Sequence, residues 1–248
     1  MPLLTDFIVD RHYSGVSCDF QSGVAMLIDK PLEWTSFDVV NKLRFKLKHG
    51  LGIKKIKVGH AGTLDPLATG LLIVCTGKLT KSIDVLQGMP KAYSGTIFIG
   101  KSTATYDAES IPEASFPIAH IDEELIMDVS KQFVGVIEQM PPVYSAIKIN
   151  GTAAYSLARR GKDVELKPRN VEITRFDILD CTMPELPFIC VCSKGTYIRS
   201  LAHDFGKALG SGAYLSSLRR DAIGSYRVEN AMSLDEAVGF IERMTDRT

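Results

Sequence analysis

The sequence predicts an α+β fold, and three observations carry that prediction. Short apolar or alternating runs of strand character recur along the chain: VAMLIDKP (24–31), LLIVC (71–75), YSGTIFIG (93–100), VEITRFDILD (171–180) and PFICVCS (187–193). Stretches with helical spacing lie among them, near 36–48, 122–133, 153–160 and 196–210. The two kinds do not alternate as regular βαβ units, which argues against a parallel doubly wound sheet. With 248 residues, 45% of them hydrophobic and 23% charged, the chain can bury a core without disulfides or metals.

In chain order, residues 1–22 lack periodicity and read as an N-terminal arm. The strand over 24–31 ends in a turn at Pro31. Thr35 or Ser36 can cap the next helix, with Asp38 in its first turn and Val39, Val40, Leu43 and Leu47 as its apolar stripe. Glycines at 59, 62 and 70, with Pro66, mark an irregular loop over 59–70 that leads into the strand LLIVC. Gly210 is placed to stop the helix over 196–210. MSLDEAVGFIERM (232–244) reads as a closing helix. No internal repeat and no dividing linker is present.

The 29 basic and 29 acidic side chains cancel, so no global attraction to nucleic acid or to an anionic membrane is expected. The charges are nevertheless segregated. Asn41 to Gly62 holds seven Lys/Arg, two His and no acid, whereas Ser102 to Ser130 holds seven acids and no Lys or Arg. No run of about 18 apolar residues suggests a membrane span. The acid-containing N-terminus does not resemble a signal peptide, and a cytoplasmic location is expected. Five cysteines without a C-x-x-C pair read as reduced and structural, with Cys190 and Cys192 on one strand face.

Several standard sites fail on spacing. Gly77-Lys78 is followed by Leu79, so no P-loop is formed. The five histidines include no H-E-x-x-H, and no G-x-S-x-G elbow occurs. His203-Asp204 alone reads as a helix-surface pair. No metal, nucleotide or flavin site is expected, and no cofactor. Asp65 remains. Proline biases its predecessor away from the helical region, so Asp65 would be held extended beside flexible glycines with His60 nearby. Such a carboxylate could serve as a nucleophile or a base, or simply as a turn former.

GHAGTLDPLATGLL (59–72) resembles the signature loop of the TruB family, the bacterial tRNA pseudouridine-55 synthases. Further blocks resemble the family in the same order. These are Asp29-Lys30-Pro31 with Thr35-Ser36, then Lys91-Ala92-Tyr93, then Gln139 to Lys148 with Gly151, Tyr155, Ala158-Arg159 and Gly161, then 193–220. The resemblance covers roughly 24–228. It implies one pseudouridine synthase catalytic domain over 23–248 with a mixed, largely antiparallel sheet flanked by helices and loops. It also implies isomerisation of uridine 55 in the T loop of tRNA after base flipping, with no redox cofactor.

Residue by residue, the resemblance implies that Asp65 acts as a nucleophile on the ribose or the base, or otherwise promotes glycosidic cleavage. Tyr93 becomes the aromatic that stacks on the uracil and can act as general base, where position alone suggests core. Arg199 becomes the partner of the catalytic carboxylate, where position alone suggests a surface arginine. His60 would help hold the flipped arrangement, and Leu218 would line the uracil pocket. Tyr197 and Lys30 match residues near the site, although a helix-start tyrosine and a turn lysine have plain structural readings. The T arm of tRNA is the implied partner, with no protein partner and no membrane. Candidates for phosphate contact are the 41–62 stretch and the cluster Arg159, Arg160, Lys162, Lys167 and Arg169.

The sequence departs from the family pattern in two places. Only 28 residues follow Arg220, too few for the RNA-binding PUA domain that many relatives carry. The family's T-x-T-x-D is present as Thr103, Thr105 and Asp107, but the glycine that usually follows is Ser110 here, so that loop should be built differently. Three other readings are open to the sequence. A guide-RNA-directed synthase would depend on the missing PUA domain. A tRNA-folding helper would not need Asp65. Another glycosidic enzyme would need a second acid partner.

Overall fold

The computed structural model describes residues 7–145, 147–149, 151–161 and 164–246. Ala146, Lys162 and the first six residues of the N-terminal arm lie outside the described residues. The chain opens with β1 (Ile8–Val9), β2 (Ala25–Lys30), α1 (Ser36–Gly50), β3 (Val58–His60) and β4 (Ala68–Thr76). A 3-10 turn over Gly77–Ser82 leads to α2 (Ile83–Gly88) and β5 (Lys91–Ile99). Next come β6 (Lys101–Ser102), β7 (Ala114–Ser115), α3 (Glu123–Lys131), β8 (Gly135–Gln139), β9 (Lys148–Ile149), β10 (Thr152–Ala153) and α4 (Ala154–Ala158). The chain closes with β11 (Arg169–Ile178), β12 (Glu185–Cys192), α5 (Ile198–Ala208), β13 (Ala213–Ile223), β14 (Tyr226–Arg227), β15 (Met232–Ser233) and α6 (Leu234–Thr245).

These elements form two compact units, one of residues 1–92 with 219–248 and one of residues 93–218. In the first unit β2 runs antiparallel to β4, from Ala25↔Cys75 to Lys30↔Gly70. β3 extends β4 antiparallel on its other register, and β1 and β15 add to β2 in parallel. The sheet is therefore mixed. Both of its faces are buried. Met26, Ile28, Leu72 and Val74 face a core shared with Val39, Val40, Leu43 and Leu47 of α1 and with Phe240 and Ile241 of α6. Ala25, Leu27, Leu71, Ile73 and Cys75 face a second core with Leu86 and Ile223. Two buried faces explain why VAMLI and LLIVC are continuous apolar runs rather than alternating ones.

Helix α1 is fixed at its start by a reciprocal cap. The Thr35 hydroxyl accepts from Asp38 N–H at 3.0 Å and the Asp38 carboxylate accepts from Thr35 N–H at 3.0 Å. A cap of this kind contributes about 1 kcal/mol. The N-terminal arm is part of this unit rather than an appendage. Val9 and Phe20 are buried, and Tyr13 meets Phe240 edge-on at 5.6 Å. Its strand is two residues long, too short for a period to show.

The second unit is antiparallel. β11 pairs with β12 on one side and with β8 on the other. β12 alternates cleanly, with Leu186, Phe188, Cys190 and Cys192 buried, and none of the five cysteines is in a disulfide. Phe133, Phe176, Phe188 and Phe205 pack edge-to-face between these strands, α3 and α5. The helix expected over 153–160 is only Ala154–Ala158. The strand β13 was not anticipated, because LSSLRRD within it is polar and unalternating.

Candidate active site

The loop that carries Asp65 is shorter than its glycines suggest. Gly59 and His60 are strand, paired with Cys75 and Val74, and Ala68 to Gly70 already belong to β4. Residues 61–67 are left as the loop. Its backbone is tied down at nearly every step. Ala61 N–H donates to the Ile73 carbonyl at 2.9 Å. Ser36 Oγ accepts from Leu64 N–H at 2.8 Å and donates to the Leu64 carbonyl at 3.2 Å. Glu33 N–H donates to the Pro66 carbonyl at 2.9 Å, and Ala68 N–H closes a turn onto the Asp65 carbonyl at 3.1 Å. Leu64 and Ala61 are buried beneath it. The Asp65 side chain is thus half-buried on a rigid support, the arrangement a positioned nucleophile needs.

Two buried cations brace the same loop. Lys30 is completely buried, and its ammonium donates to the carbonyls of Pro31 (2.8 Å), Trp34 (2.5 Å) and Pro66 (3.3 Å). Burial pulls the Lys30 pKa down to about 8, opposed by the nearby Asp65 and Asp29 carboxylates. Lys30 stands where β2 ends and acts as an internal brace of the loop. Arg220, 1% exposed, donates Nε to the Leu71 carbonyl at 2.7 Å. Its two terminal nitrogens donate to the carbonyls of Thr63 (3.3 Å) and Gly62 (3.2 Å). Nothing in the local sequence signals this role, since the three carbonyls belong to residues about 150 positions earlier. His60 is half-buried, and burial lowers its pKa, aided by the Arg220 charge.

Tyr93, Arg199, Tyr197 and Leu218 lie in the second unit. Arg199 is buried, not on the helix surface. Its Nε is 3.6 Å from the Asp107 carboxylate, and its terminal nitrogens donate to the carbonyls of Thr105 (3.0 Å) and Tyr144 (2.9 Å). Asp107 is held in turn by the Thr105 hydroxyl at 2.5 Å. Ser110, where the family pattern has glycine, joins this network through its hydroxyl, 2.9 Å from Thr105 Oγ1 and 3.2 Å from Thr105 N–H. Gln139 fixes the entry to α5 by donating to the Tyr197 carbonyl (3.0 Å) and accepting from Tyr197 N–H (2.8 Å). The Arg169 guanidinium lies 4.5 Å over the Tyr197 ring and also donates to the Gly195 carbonyl. Arg159 pairs with Glu109 at 2.7 Å. Both arginines are thus engaged locally. Tyr93 is buried, and Leu218 and Tyr197 are half-buried.

His203 is not a surface partner of Asp204. Its ring stacks on Tyr106 at 3.8 Å, and Tyr106 has the unusual φ of +62° between Thr105 and Asp107. Burial lowers the His203 pKa from 6.5 to about 4. The unfolded chain therefore binds the additional proton first. The stability contributed by this neutral ring is present above about pH 6.5 and is lost as pH falls towards 4. We expect the melting temperature of His203→Phe, which keeps the stack but cannot be protonated, to fall less than wild type between pH 7 and pH 5. Circular dichroism melts at the two pH values check this, and equal falls would refute it.

Within the first unit the geometry offers a half-buried carboxylate on a braced loop, and within the second a buried carboxylate–guanidinium network, Asp107 with Arg199. Residues 48–198 match the TruB family pseudouridylate synthase, N-terminal domain, which defines the class as an isomerase of RNA uridine. The chain is 52% identical to the tRNA pseudouridine synthase B of Parabacteroides distasonis over 225 residues, 91% of this chain and 96% of the relative. It is likewise 52% identical to the tRNA pseudouridine synthase B of Flavobacterium johnsoniae, over 87% of this chain and 95% of the relative. The chain belongs to the TruB family. A crystal structure of a Cbf5–Nop10–Gar1 complex superposes with a TM-score of 0.67 at 28% identity, covering 91% of this chain and 60% of that one. No helix among the described residues is long and apolar enough to cross a membrane.

Proposed function

We propose that the chain converts uridine 55 in the T loop of tRNA to pseudouridine. The relatives that span nearly its whole length are tRNA pseudouridine synthases, which supports tRNA as the substrate class. The observation that carries the reading is the bracing of the Asp65 loop by Lys30, Ser36 and Arg220 within the family's signature segment. The target base is flipped out of the T loop. Asp65 attacks the ribose or the base and the bond from uracil N1 to the ribose carbon breaks. The ring turns, C5 bonds to the same carbon, and the bond to Asp65 breaks and returns the free carboxylate. The C5 proton passes to the general base and N1 takes up one proton, so the proton count is unchanged. No atom is gained or lost and no electron leaves the substrate, so the reaction requires no redox cofactor.

Tyr93 stacks on the uracil and takes the C5 proton as general base. Arg199 keeps the working carboxylate ionised. His60 occupies space that the flipped base leaves, Leu218 lines the uracil pocket, Tyr197 lies near it, and Lys30 acts from below by holding the Pro66 carbonyl of the Asp65 loop. The work is cytoplasmic, where tRNA is found, and T-arm shape rather than base sequence is the main recognition signal.

An unmodified T-arm stem-loop incubated with the protein should acquire pseudouridine at position 55 and nowhere else, read by carbodiimide-blocked reverse transcription. Full tRNA should react at the same position. Product on full tRNA alone would move recognition beyond the T arm, and no product on either would refute the reading.

A further inference from the structure

We infer that a groove at the far end of the β3–β4 ladder is a binding site for the phosphodiester backbone of RNA, built from Lys55, Lys57, Lys78 and Lys81. The inference rests on the reading of tRNA as substrate; it narrows the basic 41–62 stretch to Lys55 and Lys57 and joins to them Lys78 and Lys81, which neither the sequence pattern nor the family match assigns. The groove encloses about 360 Å³, and the four lysines line it together with Gln21 and Thr80. Two separate segments meet there. Lys57 immediately precedes β3 and Lys78 follows β4, and their chains are joined where Gly77 N–H donates to the Lys57 carbonyl at 2.8 Å.

The basic stretch over 41–62 divides when its partners are named. Lys46 is neutralised by Glu242 at 2.6 Å, and Lys42 faces the same carboxylate. Arg44 is used internally, donating to Asn41 and to the Val58 carbonyl. Lys55 and Lys57 have no such use. Among the described residues no carboxylate comes within 4 Å of these two or of Lys78 and Lys81. Asp19 is the acid that feels Lys78, and its carboxylate is already accepting from Gln21 and Ser22 N–H. Four lysines thus line one groove with a single, already engaged carboxylate near one of them, and such an excess of positive charge suits a multiply charged anion.

The position selects the anion. His60 pairs with Val74 at the other end of the same ladder, and the Asp65 loop begins at the next residue. From Lys57 to His60 is about 10 Å at the usual strand rise. A strand of RNA engaged at the loop would carry the phosphates of neighbouring nucleotides across the groove. Lysines, as flexible point charges, suit a backbone read without regard to base.

The test is the affinity of full-length protein for unmodified tRNA, measured by filter binding between 50 and 200 mM KCl. The variants are Lys55→Ala/Lys57→Ala/Lys78→Ala/Lys81→Ala and the matching four-arginine protein. The alanine variant should bind at least about 30-fold more weakly at the low-salt end, with a salt slope shallower by about 3. The arginine variant should restore both, which a collapsed fold would not explain. Unchanged affinity and slope in the alanine variant would overturn the inference. So would saturation of the groove by inorganic phosphate below millimolar concentration with the tRNA salt slope unaltered, since that marks a small-anion site. A wild type that binds tRNA but forms no pseudouridine would refute the proposed function and leave this comparison intact.

Discussion

Asp65→Asn should abolish pseudouridine formation while leaving the protein folded. The amide has nearly the shape of the carboxylate, so the loop has no steric reason to move. Its backbone ties are main-chain or come from Ser36, Lys30 and Arg220, and the Asp65 carbonyl that closes the turn with Ala68 is retained. Under the proposed mechanism, what disappears is nucleophilicity. Loss of a covalent nucleophile costs on the order of 10⁴-fold or more in rate. A small electrostatic cost accompanies it. The Asp65 carboxylate supports the charge of the buried Lys30, whose pKa already lies at about 8. The substitution should therefore lower that pKa further and weaken the brace slightly above neutral pH. Single-turnover assays on the stem-loop should show no product, with tRNA affinity within a few-fold of wild type and a melting temperature a few degrees lower at most. Retention of a tenth of wild-type activity would remove Asp65 from the chemistry.

The legible part of this structure was what depends on local order and burial. The stripe of α1, its Thr35–Asp38 cap and the doubly buried β4 follow from spacing and apolar content, since each is decided within a few residues. The resemblance located Asp65, and the structure shows how the block Asp29-Lys30-Pro31 with Thr35-Ser36 serves it. Lys30 and Ser36 hold the carbonyls and N–H groups of the loop. What could not be read was the fate of the arginines. Arg199, Arg169, Arg219 and Arg220 look alike in sequence. One faces a buried aspartate, one covers a tyrosine ring, one pairs with Asp29 and one is enclosed among carbonyls. Those fates depend on residues 26 to 190 positions away, and no local period encodes them. β13 was missed for a related reason. Its polar residues are satisfied by partners distant in sequence, as when Ser216 donates to the Thr96 carbonyl at 3.1 Å.

Arg220→Met should be the most damaging substitution of a residue outside the reacting groups, and Arg219→Met should be mild. The two are adjacent on β13, yet their surroundings differ completely. Arg219 keeps 40% of its side chain exposed and meets Asp29 at 2.7 Å, so its ion pair contributes about 0–1 kcal/mol. Arg220 is enclosed, and its guanidinium satisfies the carbonyls of Gly62, Thr63 and Leu71. Methionine fills a similar volume but donates nothing, so those buried acceptors lose their partner, at roughly 3–5 kcal/mol in total. For a chain of this size that lowers the melting temperature by about 10 °C. The main chain at Arg220 remains locked against Gly70, where φ is +104° and any Cβ would overlap the Arg220 carbonyl, so β4 and β13 stay in register. The damage should therefore concentrate in the loop. A displacement of about 1 Å at Asp65 costs on the order of 10²-fold in rate, so turnover should fall far more than tRNA affinity. The Arg220 charge also depresses the pKa values of Lys30 and His60, and both should rise in the variant, visible for His60 by NMR titration. Equal losses in the two methionine variants would mean that the loop is held by something other than this guanidinium. A large loss confined to Arg220→Met would show that Asp65 is positioned by an arginine whose hydrogen bonds go to the carbonyls of Gly62, Thr63 and Leu71.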